Sequence, residues 1–276
     1  MPNNDLLVLT DSGIYCPAGD FYIDPWPSKG TETDRAVVTH GHADHARPGS
    51  KRYFCTPPTG EIMRRRIAAD LNIQELDYGE VVKFNDVAVS LHSAGHVLGS
   101  AQVRVEQNGD VWVASGDYKR DADPSCAPFE VVTCDTLITE ATFALPIYRW
   151  RPGAEVVGDI YQWWQHNAAE GRASVLFSYS LGKSQRVLAE LLRLGAPPVL
   201  LHGAMANMID VYRQAKIPMA ETRLIKDLPQ DYKFGDQLIL APPSAAGSAW
   251  MKKFKPHSTG FVSGWMRVRG NRRRNG

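Results

Sequence analysis

Along the first half of the chain, apolar residues come in short runs cut by Gly, Pro and Asp. Residues 6–9 (LLVL), 14–16, 21–23 and 35–39 (RAVVT) have the length of strands bounded by turns. In 101–115, AQVRVEQNGDVWVAS, the residues Val103, Val105, Val111 and Val113 alternate with polar positions around Asn108-Gly109. That pattern predicts a hairpin closed by a positive-φ turn. One helix is expected over 58–71, where Pro58 suits a first turn and Ile62, Ile67 and Leu71 form a stripe.

Near residues 148–153 the period changes. Helical patterns over 155–169, 182–194 and 205–215 alternate with apolar runs at 174–178 (SVLFS), 199–201 and 238–241. In the second helix Val187, Leu188, Leu191 and Leu192 face inward. Strands alternating with helices predict a parallel sheet. The expected organisation is a strand-rich α/β layer structure followed by a small doubly wound unit.

The chain has 276 residues, of which 43% are hydrophobic and 22% charged, so it can bury a sizeable core. Lys and Arg number 31 against 30 Asp and Glu. A histone-like polycation is thereby excluded, but a local basic groove is not. No apolar run approaches the roughly 20 residues of a membrane span, and the opening MPNNDLLVLTDSG lacks the features of an export signal. Cys16, Cys55, Cys126 and Cys134 form no C-x-x-C pair and read as thiols of a reduced cytoplasm. Any metal must therefore be held by histidines and carboxylates.

Thr39-His40-Gly41-His42-Ala43-Asp44-His45 is the strongest chemical signal. In an extended segment His40 and His42 point the same way and can grip one ion. A helix starting at Ala43 would swing Asp44 and His45 toward a second. Imidazole and carboxylate together suit zinc or manganese. In Ser93-Ala94-Gly95-His96-Val97-Leu98-Gly99-Ser100, His96 supplies a third imidazole, while His92 reads as structural. Ala114-Ser115-Gly116-Asp117-Tyr118 offers a bridging carboxylate at the end of a strand, where α/β proteins assemble sites. Glu140, in Leu137-Ile138-Thr139-Glu140-Ala141-Thr142, follows another apolar run and reads equally as a capping or surface carboxylate.

Together the H-x-H-x-D-H string, the A-G-H-x-L-G-S and S-G-D-Y motifs and the T-E-A-T segment resemble the metallo-β-lactamase fold nucleases of the β-CASP branch. The opening Tyr15-Cys16-Pro17-Ala18-Gly19-Asp20, with Ile23-Asp24-Pro25-Trp26, is similar to the bacterial ligase-associated DNA exonuclease group. The resemblance implies an αββα sandwich with an inserted β-CASP-like doubly wound α/β domain. Its boundaries would be 1–149 for the sandwich, 150–270 for the insert and 271–276 for a basic tail. It implies two divalent metal ions, zinc with manganese as the alternative. His40, His42 and His96 would hold the first, Asp44 and His45 the second, and Asp117 would bridge them. Asp44, Asp117 and Glu140 would be the catalytic residues, Glu140 matching an acidic motif that orients a proton-donating histidine, with Asp24 steadying the metal loop. The implied activity is a cytoplasmic DNA exonuclease of repair, running 5′ to 3′ on a single strand or duplex end. A DNA ligase or helicase would be its companion, and no membrane would be involved. A ribonuclease of the same branch and a non-catalytic nucleic-acid-binding fragment are the alternatives.

The family's later motifs, an Asp-His-Ala-Asp-like proton donor and a final ligating histidine, are not found. Only His166, His202 and His257 lie beyond Glu140, so a chain truncated at its C-terminus is expected, with a sandwich that lacks its closing return. Lys183 and Ser184, at a helix start after 174–178, are candidate phosphate contacts, although the same loop also reads as an ordinary helix start. It is not a Walker A loop, so ATP is not implied. Arg267 and Arg269 lead a basic run, with Arg272–Arg274, suited to a nucleic-acid backbone. Arg64–Arg66 read as a solvated face, and Trp163-Trp164 as core.

Overall fold

The computed structural model describes residues 5–26, 33–145 and 148–263. The chain divides into two compact units, Met1–Ala144 and Leu145–Gly276. The basic run with Arg267 and Arg269, and the segment 271–276, lie outside the described residues.

The first unit carries two sheets. One is built from β1 (Val8–Thr10), β2 (Gly13–Cys16), β3 (Phe21–Ile23), β4 (Thr33–Val37), β5 (Ser50–Cys55) and β6 (Ile73–Glu75), in that order. The other runs β11 (Thr136–Ile138), β10 (Asp110–Ala114), β9 (Ala101–Gln107), β8 (Val87–Ser93) and β7 (Val81–Phe84). The expected hairpin is β9–β10, and Asn108 and Gly109 both have positive φ, 52° and 86°. Side-chain alternation then sorts the strands' two faces. Val37, Phe54, Val89, Leu91, Val103 and Val105 meet in one buried cluster between the sheets. Ala36, Tyr53 and Cys55, the alternate residues of β4 and β5, pack instead against Met63 of α1 (Pro57–Arg66). Among the described residues of this unit α1 is the only α-helix, so one helical layer accompanies the two sheets.

The helix expected over 58–71 stops at Arg66. Ile73 must reach Tyr53 to start β6, which forces a turn over 67–72. Ile67 and Leu71 still pack on the core, but from a loop. The helix expected from Ala43 is a single turn, with the Ala46 amide donating to the His42 carbonyl at 2.8 Å.

The second unit is a parallel sheet in the order β14 (Thr222–Leu224), β13 (Val199–Leu201), β15 (Leu238–Ala241), β12 (Ala173–Ser178), β16 (His257–Val262). The helices α2 (Gly153–Ala169), α3 (Lys183–Arg193) and α4 (Ala206–Gln214) bury Val157, Trp164, Leu188 and Ile209 on one face. The opposite face is covered by the 3₁₀ segments Ile225–Asp227, Pro243–Ala245 and Ala249–Phe254. A doubly wound unit would have α-helices on both faces. Here the return connections, rich in Pro, Gly and aromatics, make only short 3₁₀ turns. Trp164 is core, its indole N–H donating to the Asp236 carbonyl at 2.8 Å.

All four expected chemical segments leave the first unit's sheets at strand C-termini. His40–His45 follows β4, Gly95-His96 follows β8, Gly116-Asp117 follows β10 and Glu140 follows β11. A backbone bond from the Ala101 amide to the Thr39 carbonyl, 2.8 Å, ties the two sheets together at that edge.

Candidate metal centre

Three loops bring His40, His42, His96 and Asp117 together, with one donor atom of each inside 4.8 Å of the others. His40 Nε2 lies 2.9 Å from His42 Nδ1, and His96 Nε2 lies 3.3 Å from the same atom. Asp117 Oδ2 is 3.9 Å from His40 Nε2 and 3.6 Å from His96 Nε2. A tetrahedral zinc with ligands at ~2.0–2.1 Å separates its donors by ~3.3–3.4 Å. The four observed distances bracket that value, so the residues fit a divalent cation of this size.

Close packing sets the loops in place. Gly116 has φ +54°, and a Cβ there would stand 2.7 Å from the Thr39 Cβ. Only glycine lets the Asp117 loop lie on the His40 loop. Gly99, with φ +77°, lies against Thr56 and Thr59, whose hydroxyls donate to its carbonyl at 2.6 and 2.9 Å. Ser100 Oγ accepts from the amides of His96 and Val97 at 3.0 and 3.2 Å, which closes the turn that carries His96.

Behind the cluster, Asp24 organises the tautomers. Asp24 Oδ1 accepts from the Thr39 amide at 2.7 Å, and Oδ2 accepts from the Thr39 hydroxyl at 2.6 Å. Because a hydroxyl has one hydrogen, Thr39 must accept, not donate, in its 3.1 Å contact with His40 Nδ1. His40 therefore carries its proton on Nδ1 and turns the Nε2 lone pair toward the cluster. His45 Nδ1 likewise donates to Asp24 Oδ2 at 2.7 Å, so its Nε2 faces Asp117 Oδ1 at 3.3 Å and Asp44 Oδ2 at 3.9 Å. Asp24 reaches all three partners from a positive φ of 46°.

The two oxygens of Asp117 thus face different partners. Oδ2 looks to His40 and His96, and Oδ1 to His45. Asp44 belongs to the His45 side but is 72% exposed at its side chain. Burial and the neighbouring His45, His42, His96 and Arg66 hold His40 far below its usual range. Burial disfavours the His45 cation, but hydrogen bonds to Asp117 and Asp24 outweigh it and carry His45 up to about 10. Burial raises the Asp117 carboxyl, and His45, His96 and His42 more than reverse this and lower it.

Glu140 touches the cluster through the backbone. Its Oε1 accepts from the Tyr118 amide at 3.2 Å, next to Asp117, and its own amide donates to Ser115 Oγ at 3.3 Å. His92 is spent elsewhere, with Nδ1 on Glu130 at 2.8 Å and Nε2 against Ser90 Oγ at 3.0 Å. Ser184 is fully buried, and its hydroxyl lies 2.5 Å from the Tyr179 carbonyl it donates to. That places Ser184 in the strand-to-helix turn, not on a ligand-facing surface, and Lys183 precedes it at the first position of α3.

Sequence reading missed two contributors. Arg66 is not a solvated arginine: its guanidinium donates to the Gly41 carbonyl and braces the metal loop from α1, whereas Arg64 and Arg65 pair with Glu75 and Glu61 at 2.7 Å. The signal was obscured because three successive arginines look alike, while 100° per residue sends one inward. Trp26, which no local pattern marks, is the other: its indole N–H donates to the Asp44 carbonyl at 3.1 Å.

No family model matches the chain. It is 32% identical over 257 residues to a probable DNA ligase of Opitutus terrae, an alignment that covers 92% of this chain and 24% of that protein. It is 26% identical over 258 residues to the transcription termination factor FttA of Methanothermobacter thermautotrophicus, covering 75% of this chain and 40% of that one. Identity to the endoribonuclease YSH1 of Eremothecium gossypii is 26% over 202 residues, with coverages of 62% and 26%. The chain spans a quarter to two-fifths of the length of these relatives. Over most of its own length it is thus similar to proteins named for DNA joining, for transcription termination and for RNA cleavage.

Proposed function

We propose that the chain is a metal-dependent hydrolase of phosphodiester bonds, a nuclease of the metallo-β-lactamase β-CASP kind. The finer reading is a DNA exonuclease, running 5′ to 3′ in a repair setting beside a DNA ligase. The observation that carries the reading is the divided carboxylate of Asp117, one oxygen toward His40 and His96 and the other toward His45. Such a carboxylate suits a pair of cations, and paired cations suit phosphodiester cleavage. The 32% identity to a probable DNA ligase favours DNA over RNA as substrate.

In this reading His40, His42 and His96 hold one divalent ion, Asp44 and His45 a second, and Asp117 both. Ions bound there would lower the pKa of a water toward neutrality, supplying hydroxide as the nucleophile, and would supply positive charge for the phosphoryl oxygens. Asp24 and Thr39 keep the His40 and His45 lone pairs turned inward. Glu140 holds the Tyr118 amide and so fixes Asp117 as charge develops. Arg66 keeps the Gly41 carbonyl in place and adds positive charge near the incoming phosphate. Lys183, Arg267 and Arg269 are proposed to meet phosphates further along the strand. Zinc is the proposed metal, with manganese the alternative for so mixed an N/O donor set.

The test is to load the purified chain with zinc or manganese and incubate it with matched, end-labelled DNA and RNA single strands. Stepwise shortening of DNA, lost in Asp117→Asn and in His42→Ala, is expected. Cleavage that survives both substitutions would sink the assignment. RNA cleavage with DNA spared would select the second reading, a ribonuclease, for which the 26% identity to an endoribonuclease speaks.

A further inference from the structure

Beside the metal cluster stands an aromatic side chain that packing alone does not explain. Trp26 is 46% exposed, although a tryptophan is among the most apolar surfaces a protein can hide. It is also anchored. Its backbone amide donates to the Ser12 carbonyl at 2.7 Å, and its indole N–H to the Asp44 carbonyl at 3.1 Å. The residues before it are held as well, since Asp24 grips Thr39 and His45. The ring is therefore presented in one orientation on the rim of the metal loop. Asp44 lies two residues after His42, and two residues span at most ~7 Å. The indole is thus anchored to the same loop that carries His42, a short stretch of chain from it.

Arg47 completes the feature. Its guanidinium carbon lies 5.8 Å from the Trp26 ring centroid, within the range of a cation–π contact. Tyr53 fixes the backbone beneath it, its hydroxyl donating to the Arg47 carbonyl at 3.0 Å. An oriented, exposed indole with a cation over one face leaves the opposite face for a base and sets a positive charge beside it for the flanking phosphate, the chemistry by which proteins hold single-stranded nucleic acid.

Resting on the nucleic-acid reading of the metal centre, we propose that Trp26 and Arg47 form the base-stacking position next to the scissile phosphate. The base of an adjacent nucleotide stacks on the indole, and Arg47 meets its phosphate. Trp26 is on this view a positioning residue. It recognises any base by its π-face, so it fixes the strand's register without selecting sequence.

The experiment measures binding of a short single-stranded DNA to the zinc-loaded full chain by fluorescence anisotropy. An abasic nucleotide is moved one position at a time along the strand, and metal content and cleavage rate are followed in parallel. In the wild-type chain one abasic position should weaken binding by about tenfold, the size of a single base–aromatic stack. In Trp26→Ala the intact strand should bind as weakly as that abasic strand, and the dependence on abasic position should vanish. Trp26→Phe should restore most of it. Arg47→Gln should lower the slope of log affinity against log salt by about 0.7, one single-strand phosphate. All three variants should keep the wild-type metal content.

A flat abasic scan in a chain that still binds and cuts DNA would overturn this inference and leave the nuclease reading intact. A scan unchanged in Trp26→Ala, or a loss of metal in that variant, would overturn it equally, the latter by assigning Trp26 to holding the loop. A chain that neither binds nor cuts any strand would overturn the nuclease reading and this inference with it.

Discussion

Asp24→Asn isolates what the carboxylate behind the metal loop does. Asparagine keeps the shape of aspartate and tolerates the positive φ of 46° found there. What it removes is the second acceptor oxygen. Asp24 Oδ1 accepts from the Thr39 amide at 2.7 Å, and Oδ2 takes both the Thr39 hydroxyl at 2.6 Å and His45 Nδ1 at 2.7 Å. An amide carbonyl can keep the first bond at about half its strength, because the acceptor is no longer charged. Its NH₂ group then confronts two donors. Thr39 can rotate its hydrogen away, but the His45 Nδ1 proton loses its acceptor, and a neutral His45 is no longer held to the tautomer that leaves Nε2, facing Asp117 and Asp44, free to ligate. The His45 bond is lost, the Thr39 hydroxyl bond is at best reversed to a neutral one and the Thr39 amide bond is weakened, which comes to roughly 3–5 kcal/mol at ~1.5–3 kcal/mol per charge-assisted bond. A ligand held in the wrong tautomer should also weaken metal affinity by about 10- to 100-fold. The assays are urea unfolding of the metal-free protein and zinc competition against a chelator. Asp20→Asn is the control, since Asp20 also has positive φ and its side chain accepts from the Tyr15 hydroxyl rather than from the metal loop. Unchanged zinc affinity in Asp24→Asn, or an equal drop in Asp20→Asn, would refute the tautomer argument.

Gly116→Ala places a Cβ 2.7 Å from that of Thr39 at a φ of +54°. The left-handed backbone alone costs about 1 kcal/mol, so denaturant unfolding should show a loss of ~2 kcal/mol or more, with weakened metal binding. Glu140→Ala leaves the Tyr118 amide without its acceptor and should lower kcat about tenfold, while Glu140→Gln, which still accepts, should lose much less. Trp164→Phe strands the Asp236 carbonyl and should destabilise the second unit by ~1–3 kcal/mol, read by thermal unfolding, with zinc affinity untouched. Cys16 and Cys55 are buried, and burial pushes the Cys55 thiol up to about 12. A thiol reagent should therefore modify at most Cys126 and Cys134 in the native protein, and all four cysteines only after denaturation.

Local chemistry was legible where the signal itself is local. The β9–β10 hairpin follows from Asn108-Gly109, because a positive-φ pair between alternating valines leaves the chain few other options. The bounds of β13 and β15 and the extents of α2 and α3 follow from periodicity and buried apolar runs. Likewise, such a density of imidazole and carboxylate as His40–His45 has no use in a core, and His40 and His42 do converge with His96 and Asp117. No helix among the described residues is long and apolar enough to cross a membrane, as the hydropathy pattern also indicates.

Other features depended on contacts distant in sequence. The short edge strands β6 and β14 have weak patterns and exist through pairing with β5 and β13. Helix α1 ends early because β6 must return to its neighbour, a demand that nothing in 67–71 encodes. Asp117 stands out in sequence as a strand-terminal carboxylate and Asp24 only through the resemblance, and it is the closure of two sheets that brings one among the histidines and the other behind them. The same closure selects Arg66 from three identical neighbours and leaves Trp26 exposed beside the site. Where imidazoles and carboxylates concentrate, and most of the regular elements, follow from the sequence alone, since those depend on neighbours a few residues apart. The tertiary structure alone decided which ligand atoms converge, which tautomers they adopt and which side chains brace them, because such relations are set by packing between segments tens of residues apart.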